Sequence, residues 1–344
     1  MRQRRYAWLH ASQRDPIGGP IRLSRRHTDH RASAAGDVAP SPSARRGKPP
    51  DRAESADVSA FAVIDAPVDS SGTGRGEERG PAALRAAGLL ERLGARDAGE
   101  ADAHIRGRDR EPSTGVVAAS EVRRASAAIA SSVRRVLERG ERPLVLGGDC
   151  TLLLGVFSAL PGGGGLWFVD GHADFLDGES SPTGEAADMD LAILTGHGPP
   201  GLFGRREPML EPAAVVLLGH RPAELHPEVA RENARLDPAI HARTAPEVRE
   251  CGADPTARDA VARLARRPAW LHLDLDVLDE SVLPAVSYPQ PLGLEWEELV
   301  ALLRPLVAAP NLLGVSVADF NPDRDADTTD AARIVEELAS LCRR

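Results

Sequence analysis

The run Leu166-Trp-Phe-Val-Asp-Gly-His-Ala-Asp-Phe175 begins as a short apolar strand and ends in Asp170, His172 and Asp174. Side chains on an extended strand alternate faces with a period of two, so these three point the same way if the strand geometry persists, and Gly171 and Ala173 keep the other side small. Two carboxylates and an imidazole converging there form a claw for a divalent ion of the manganese or zinc kind; magnesium or calcium would rely on oxygen donors alone. The plainer reading of a lone Asp-x-His-x-Asp run is a strand end with solvated acids. The flanking segments decide between the two.

Upstream, Ala118 to Arg139 carries Val122, Ala125, Ile129, Val133 and Val136 at three- and four-residue steps, which predicts a long helix ended by Gly140. Pro143-Leu-Val-Leu146 predicts a strand, followed by the turn Gly147-Gly-Asp-Cys-Thr151 and a helix from Leu152 to Leu160. Strand, helix, strand in this order makes a parallel sheet, whose ligands bind beyond the carboxyl ends of its strands. Earlier still, Ser59 to Ile64 predicts a first strand, and Pro81 sits in the first turn of a helix running to Leu93. The glycines between them, in Pro67 to Gly76, lack the Gly-Lys-Ser/Thr ending of a P-loop.

Downstream, Ala213 to Leu218 predicts a buried strand, and Asp254 to Arg266 a helix. In Pro268 to Val277 the alternation is clear: Trp270, His272, Asp274 and Asp276 on one face, Leu271, Leu273, Leu275 and Val277 on the other. His272 lies deeper in the strand and reads as a hydrogen-bonding residue rather than a ligand. A helix from Glu295 to Leu306, a strand from Asn311 to Val317 ending at Asp319, and an amphipathic helix from Thr328 to Cys342 complete the pattern.

Composition sets the bounds. With 344 residues, 42% of them hydrophobic, the chain can bury a large α/β core, and a formal net charge of -9 gives no chain-wide field for nucleic acid or anionic membrane. No apolar run reaches the ~18 residues of a membrane span. Three widely spaced cysteines, Cys150, Cys251 and Cys342, argue against a disulfide framework and for a reducing, cytoplasmic setting. Residues 1–57, rich in Arg, Ser, Ala, Pro and Gly without hydrophobic period, are expected to be a disordered extension before a single folded domain at 58–344.

Four strands thus end in polar clusters: Asp149 with Cys150; Asp170, His172 and Asp174; Asp274 with Asp276; and Asp319. In a parallel sheet all four ends share one edge, and carboxylates crowded there repel unless cations separate them. A binuclear site, with ions about 3.5–4 Å apart, meets that demand.

Over roughly residues 60–342 the chain resembles the ureohydrolases, the arginase, agmatinase and formimidoylglutamase group. That family's pattern is a Gly-Gly-Asp-His turn, an Asp-x-His-x-Asp strand end, an Asp-x-Asp strand end and a later Glu-x-Asn-Pro. Gly147-Gly-Asp-Cys150, Asp170-Gly-His-Ala-Asp174, Asp274-Leu-Asp276 and Asp319-Phe-Asn-Pro322 match these in order, and Gly80-Pro-Ala-Ala-Leu-Arg85 resembles the family's first helix. The resemblance implies a three-layer α/β/α sandwich with a mainly parallel sheet, as in arginases and deacetylases. It also implies two divalent ions, most often manganese, and hydrolysis of linear C–N bonds in a small guanidino, amidino or formimino compound by a homotrimer or homohexamer.

Carried onto this chain, Asp170 and Asp274 bridge the ions, Cys150 and Asp174 complete one, and His172 and Asp276 the other. Asp174 orients the nucleophile, His197, in Thr195-Gly-His-Gly-Pro199, shuttles a proton, and Asp319 holds the cationic end of the substrate. Two positions depart from the pattern. Cys150 stands where the family has histidine: either a thiolate ligand, which shifts preference towards zinc or iron, or an unliganded small hydrophobe. Asp319 replaces a glutamate, and its shorter side chain either fits another substrate shape or marks lost activity. Two rivals follow, a deacetylase-like amidohydrolase with one metal and a metal-binding or assembly homologue without turnover.

Overall fold

The structure, a computed structural model, describes residues 61–160, 164–204 and 208–342, so the expected extension at 1–57 lies outside the described residues. Along the chain run β1 (Phe61–Ala66), α1 (Gly80–Ala86), α2 (Leu89–Leu93), β2 (Arg96–Glu100), α3 (Ala119–Glu138), β3 (Arg142–Gly147), α4 (Leu152–Ala159), β4 (Gly165–Val169), α5 (Asp190–Leu194) and β5 (Val215–His220). Then follow α6 (Pro227–Asn233), β6 (His241–Thr244), α7 (Ala245–Cys251), α8 (Ala253–Leu264), β7 (Ala269–Asp274), α9 (Trp296–Val307), β8 (Leu312–Ala318) and α10 (Thr329–Cys342).

Among the described residues the eight strands form one sheet in the order β2-β1-β3-β8-β7-β4-β5-β6, and every pairing is parallel. Alternation along each strand sends side chains to two cores. Leu166, Phe168 and Trp270 pack on one face with Val122, Ile129 and Val133 of α3 and Leu153 and Phe157 of α4. Trp167, Val169, Leu271 and Leu273 pack on the other with Leu302 and Leu306 of α9 and Ile334 of α10. Helices on both faces of a parallel sheet make the expected three-layer sandwich.

Chain order hides one consequence of this topology. The four strands that end in polar clusters, β3, β8, β7 and β4, are neighbours at the centre of the sheet. Their side chains can therefore meet.

Local differences from the expected elements have simple causes. The helix expected to run unbroken to Leu93 divides because Gly88 takes a left-handed φ of 89° between α1 and α2. β2, with exposed Arg96, Asp97, Gly99 and Glu100, is an edge strand without apolar alternation. α7 carries a capping box, in which the Thr244 side chain accepts the Glu247 amide and Glu247 accepts the Thr244 amide. The Thr-Ala-Pro-Glu sequence was its readable signal.

Candidate metal centre

The alternation expected of Asp170, His172 and Asp174 stops at the first of them. β4 ends at Val169, and Asp170 Oδ1 accepts the His172 amide at 2.6 Å, curling the chain off the sheet. Asp174 then takes a left-handed φ of 45°. The same local device ends β7, where Asp274 Oδ1 accepts the Asp276 amide at 2.7 Å and Leu275–Val277 forms a 3-10 turn. Asp149 Oδ1 likewise accepts the Thr151 amide, at 3.1 Å. An aspartate that captures the amide two residues on terminates its own strand and leaves its second oxygen to face elsewhere.

For Asp170 and Asp274 that second oxygen faces Cys150. The thiol Sγ lies 2.7 Å from Asp274 Oδ2 and 3.7 Å from Asp170 Oδ2, and His272 Nε2 is 3.2 Å from the same sulfur. His272 is held from behind, its Nδ1 2.8 Å from Ser316 Oγ, which also accepts from Trp270 Nε1. On the other side His172 Nδ1 is 2.8 Å from Asp276 Oδ2 and 3.9 Å from Asp170 Oδ1.

Buried groups whose donor atoms all lie within 4.8 Å of one another fall into linked sets: Cys150, Asp170, His272 and Asp274; Cys150, Asp174 and Asp190; Asp170, His172 and Asp276; and Asp274, Asp276 and Asp319. The expected claw is thus divided, Asp170 and His172 facing Asp276, and Asp174 facing Cys150. Asp319 has a left-handed φ of 68°, donates its amide to the Gly148 carbonyl at 2.7 Å and accepts the Ser287 amide on Oδ2 at 3.2 Å.

The electrostatics of the centre call for cations. Burial first, then repulsion from Asp274 and Asp276, holds the Asp170 carboxyl well above the usual range, and burial does the same to Asp274 and Asp190. Burial, followed by the charges of Asp274 and Asp170, also pushes the Cys150 thiol up, and burial lowers His272 to about 3. Protons would otherwise have to neutralise this set of oxygen, nitrogen and sulfur donors. Divalent ions can take their place, so the residues fit such a metal.

His197 does not join them. It follows α5, its side chain is 43% exposed, its Nε2 pairs with Asp237 Oδ2 at 3.1 Å, and its ring tilts against Phe175. Its Gly-flanked place in the loop after the metal strand, together with the metal motifs, suggested it, and the chain after α5 turns it outward.

Three features bring in residues from outside the motif pattern. Asp190 enters the Cys150 set from α5. Arg221, 1% exposed, donates to the backbone carbonyls of Asp276, Val277 and Leu278 and so fixes the turn after β7. A further buried set, Asp69, Glu77 and Asp149, lies under Arg75, whose guanidinium pairs with Glu77 and Glu185 at 2.8 Å.

The fold and this donor set define a metal-binding α/β protein of the ureohydrolase type. Residues 59–341 match the arginase family, and the chain belongs to it. An arginase from Bacillus caldovelox is 31% identical over 300 residues, which cover 82% of this chain and 97% of that protein. The solved structure of arginase from Bacillus caldovelox superposes with a TM-score of 0.73 at 30% identity, covering 83% of this chain and 99% of that one. Arginase from Bacillus subtilis superposes with a TM-score of 0.72 at 26% identity, covering 83% and 98%. Among the described residues no helix is long and apolar enough to cross a membrane.

Proposed function

We propose that the chain is a metal-dependent amidinohydrolase that cleaves a linear C–N bond in a small guanidino, amidino or formimino compound, releasing urea or a simple amide and an amine. The observation that carries this reading is the sharing of Asp170, Asp274 and Asp276 between adjoining donor sets at the centre of the sheet. A residue shared between two sets is suited to bridge two ions. Asp170 and Asp274 would take that role, Cys150 and Asp174 would complete the hold on one ion, and His172 and Asp276 on the other. When bound, the ions supply a reactive water at neutral pH, since coordination lowers its pKa from 15.7 to roughly 7.

The chain's own residues do the rest. Asp174 orients the nucleophile and accepts its proton, and Asp319, steadied by the Ser287 amide, holds the cationic end of the substrate. His197 is given no step, because its partner is Asp237. The reading carries manganese as the resident ion, with zinc or iron admitted by Cys150, a homotrimeric or homohexameric assembly and a cytoplasmic location. It also places the catalytic domain at 58–344, close to the start of the family match at residue 59.

Elemental analysis of the purified protein, with mass-spectrometric screening of guanidino and amidino compounds, tests it. Two ions per chain and release of urea or an amide with its amine is the expected result. One ion with deacylation, or bound metal without turnover on any compound, would replace it by the deacetylase-like or the non-catalytic rival.

A further inference from the structure

Asp190 belongs to none of the motifs, yet it lies against the residues assigned to the metal. It opens α5, and that segment is tied to the chain that follows β4 by the Ala192 amide, which donates to the Asp174 carbonyl at 3.2 Å. The side chain is 0% exposed, and neither carboxylate oxygen accepts a hydrogen bond of ordinary geometry among the described residues, although the Leu191 amide lies near it. One of its oxygens, Cys150 Sγ and an Asp174 oxygen all lie within 4.8 Å of one another.

Its neighbour gives the contrast. Asp188, two residues earlier and also buried, accepts from Ser181 Oγ at 2.9 Å and from the Thr183 hydroxyl. The loop therefore supplies hydroxyl donors to one acid and none to the other. A carboxylate buried among acids with no more than its neighbour's amide beside it is strongly unfavourable unless a cation compensates it.

We infer that Asp190 is a direct ligand of the ion held by Cys150 and Asp174. The inference rests on the metal-dependent reading above and adds a donor that the family pattern does not contain. A thiolate alone favours softer ions, whereas an added carboxylate contributes a hard oxygen and a further negative charge on the same side. Asp190 thereby offsets the softness that Cys150 introduces, and keeps this half of the centre open to manganese.

The test uses the full chain, stripped of metal and reloaded with Mn2+ or Co2+, as wild type, Asp190→Asn and Asp190→Glu. Equilibrium dialysis gives stoichiometry and affinity, and the thiolate-to-cobalt absorption band reports the ion beside Cys150. Loss of an outer partner of a ligand weakens binding roughly 10–100-fold, so loss of a direct ligand should weaken one ion about 100-fold or more in Asp190→Asn. The cobalt band should fade with it, Asp190→Glu should recover part of both, and metal-free Asp190→Asn should melt no lower than metal-free wild type.

Unchanged stoichiometry, affinity and cobalt band in Asp190→Asn would overturn this assignment alone. A metal-free Asp190→Asn that melts below wild type would overturn it too, since Asp190 would then have a protein partner. A wild type that binds neither ion would overturn the metal-dependent reading and the assignment together.

Discussion

Replacing Arg221 with methionine should cost stability and loosen the metal centre together. The guanidinium is 1% exposed and spends its donors on the backbone, from Nη1 to Val277 O at 3.2 Å, from Nη2 to Asp276 O and Leu278 O at 2.9 Å, and from Nε to Pro291 O at 3.0 Å. Methionine keeps an apolar stem of similar length and removes every donor. The carbonyls of Asp276, Val277 and Leu278 are buried and cannot be rehydrated, whereas those of Gln290 and Pro291 lie nearer solvent. At roughly 1–2 kcal/mol for each of the three lost interior bonds the total is about 3–6 kcal/mol. For a domain of this size that is a fall in Tm on the order of 10 °C. Arg221→Lys should lose most of the same stability, because one ammonium cannot reproduce a planar fork. The turn held by Arg221 also carries Asp276, whose Oδ1 accepts the Gly171 amide at 3.1 Å, and a Cβ on Gly171 would lie 2.6 Å from Arg221 Nη1. Metal affinity should therefore fall with stability. Differential scanning calorimetry of the metal-free variants and dialysis of the loaded ones measure the two effects. A Tm within about 2 °C of wild type, below the shift of even one lost bond, would refute the reasoning.

Asp170→Asn and Asp274→Asn should each abolish stoichiometric metal binding, since an amide cannot replace the bridging charge; full occupancy by elemental analysis would remove the bridging roles. Cys150→His should raise Mn2+ affinity relative to Zn2+, with about 1–3 kcal/mol of stability lost as the larger ring is forced between Asp274 and His272. An unchanged metal preference by competition dialysis would make Cys150 a packing residue. Burial lowers His220 from 6.5 to about 4, so the unfolded chain takes up its proton first. Stability should therefore fall as pH drops from 6.5 towards 4, and His220→Gln should flatten that slope in urea titrations; an equal slope in both proteins would clear His220 of it. His197→Ala should keep both metal and most turnover, and a large loss of turnover with metal retained would return it to the proton-transfer role.

What the sequence made legible is what local geometry decides. The strand ends could be found because an aspartate and the amide it captures are two residues apart, so Asp170 with His172 and Asp274 with Asp276 appear as written motifs. The alternation of Trp270, Leu271, His272 and Leu273 was equally local: Trp270 enters one core, Leu271 and Leu273 the other, and His272 stacks on Phe168 of the first. The same device shows why Asp170, His172 and Asp174 do not share one face. A carboxylate that bonds the amide two residues on cannot remain on a straight strand, so the period of two fails where the ligands begin.

The remainder depends on contacts between distant segments. Insertion of β8 and β7 between β3 and β4 leaves no mark within any one strand, although it is what brings Cys150 within reach of Asp274, 124 residues away. Asp190 reads as one more acid in a polar loop beside Glu185 and Asp188, because a chain written in one dimension does not say which acid lacks a donor. Arg221 reads as the charged end of an apolar run, and its burial follows only from carbonyls 55 to 70 residues further on. His197 shows the converse, since its motif was local and its pairing with Asp237, 40 residues on, was not. Motifs at the strand ends therefore identify the buried acids that terminate their own elements. The ligand and the brace supplied by other elements, Asp190 and Arg221, come into view only when the buried polar atoms are matched to their partners.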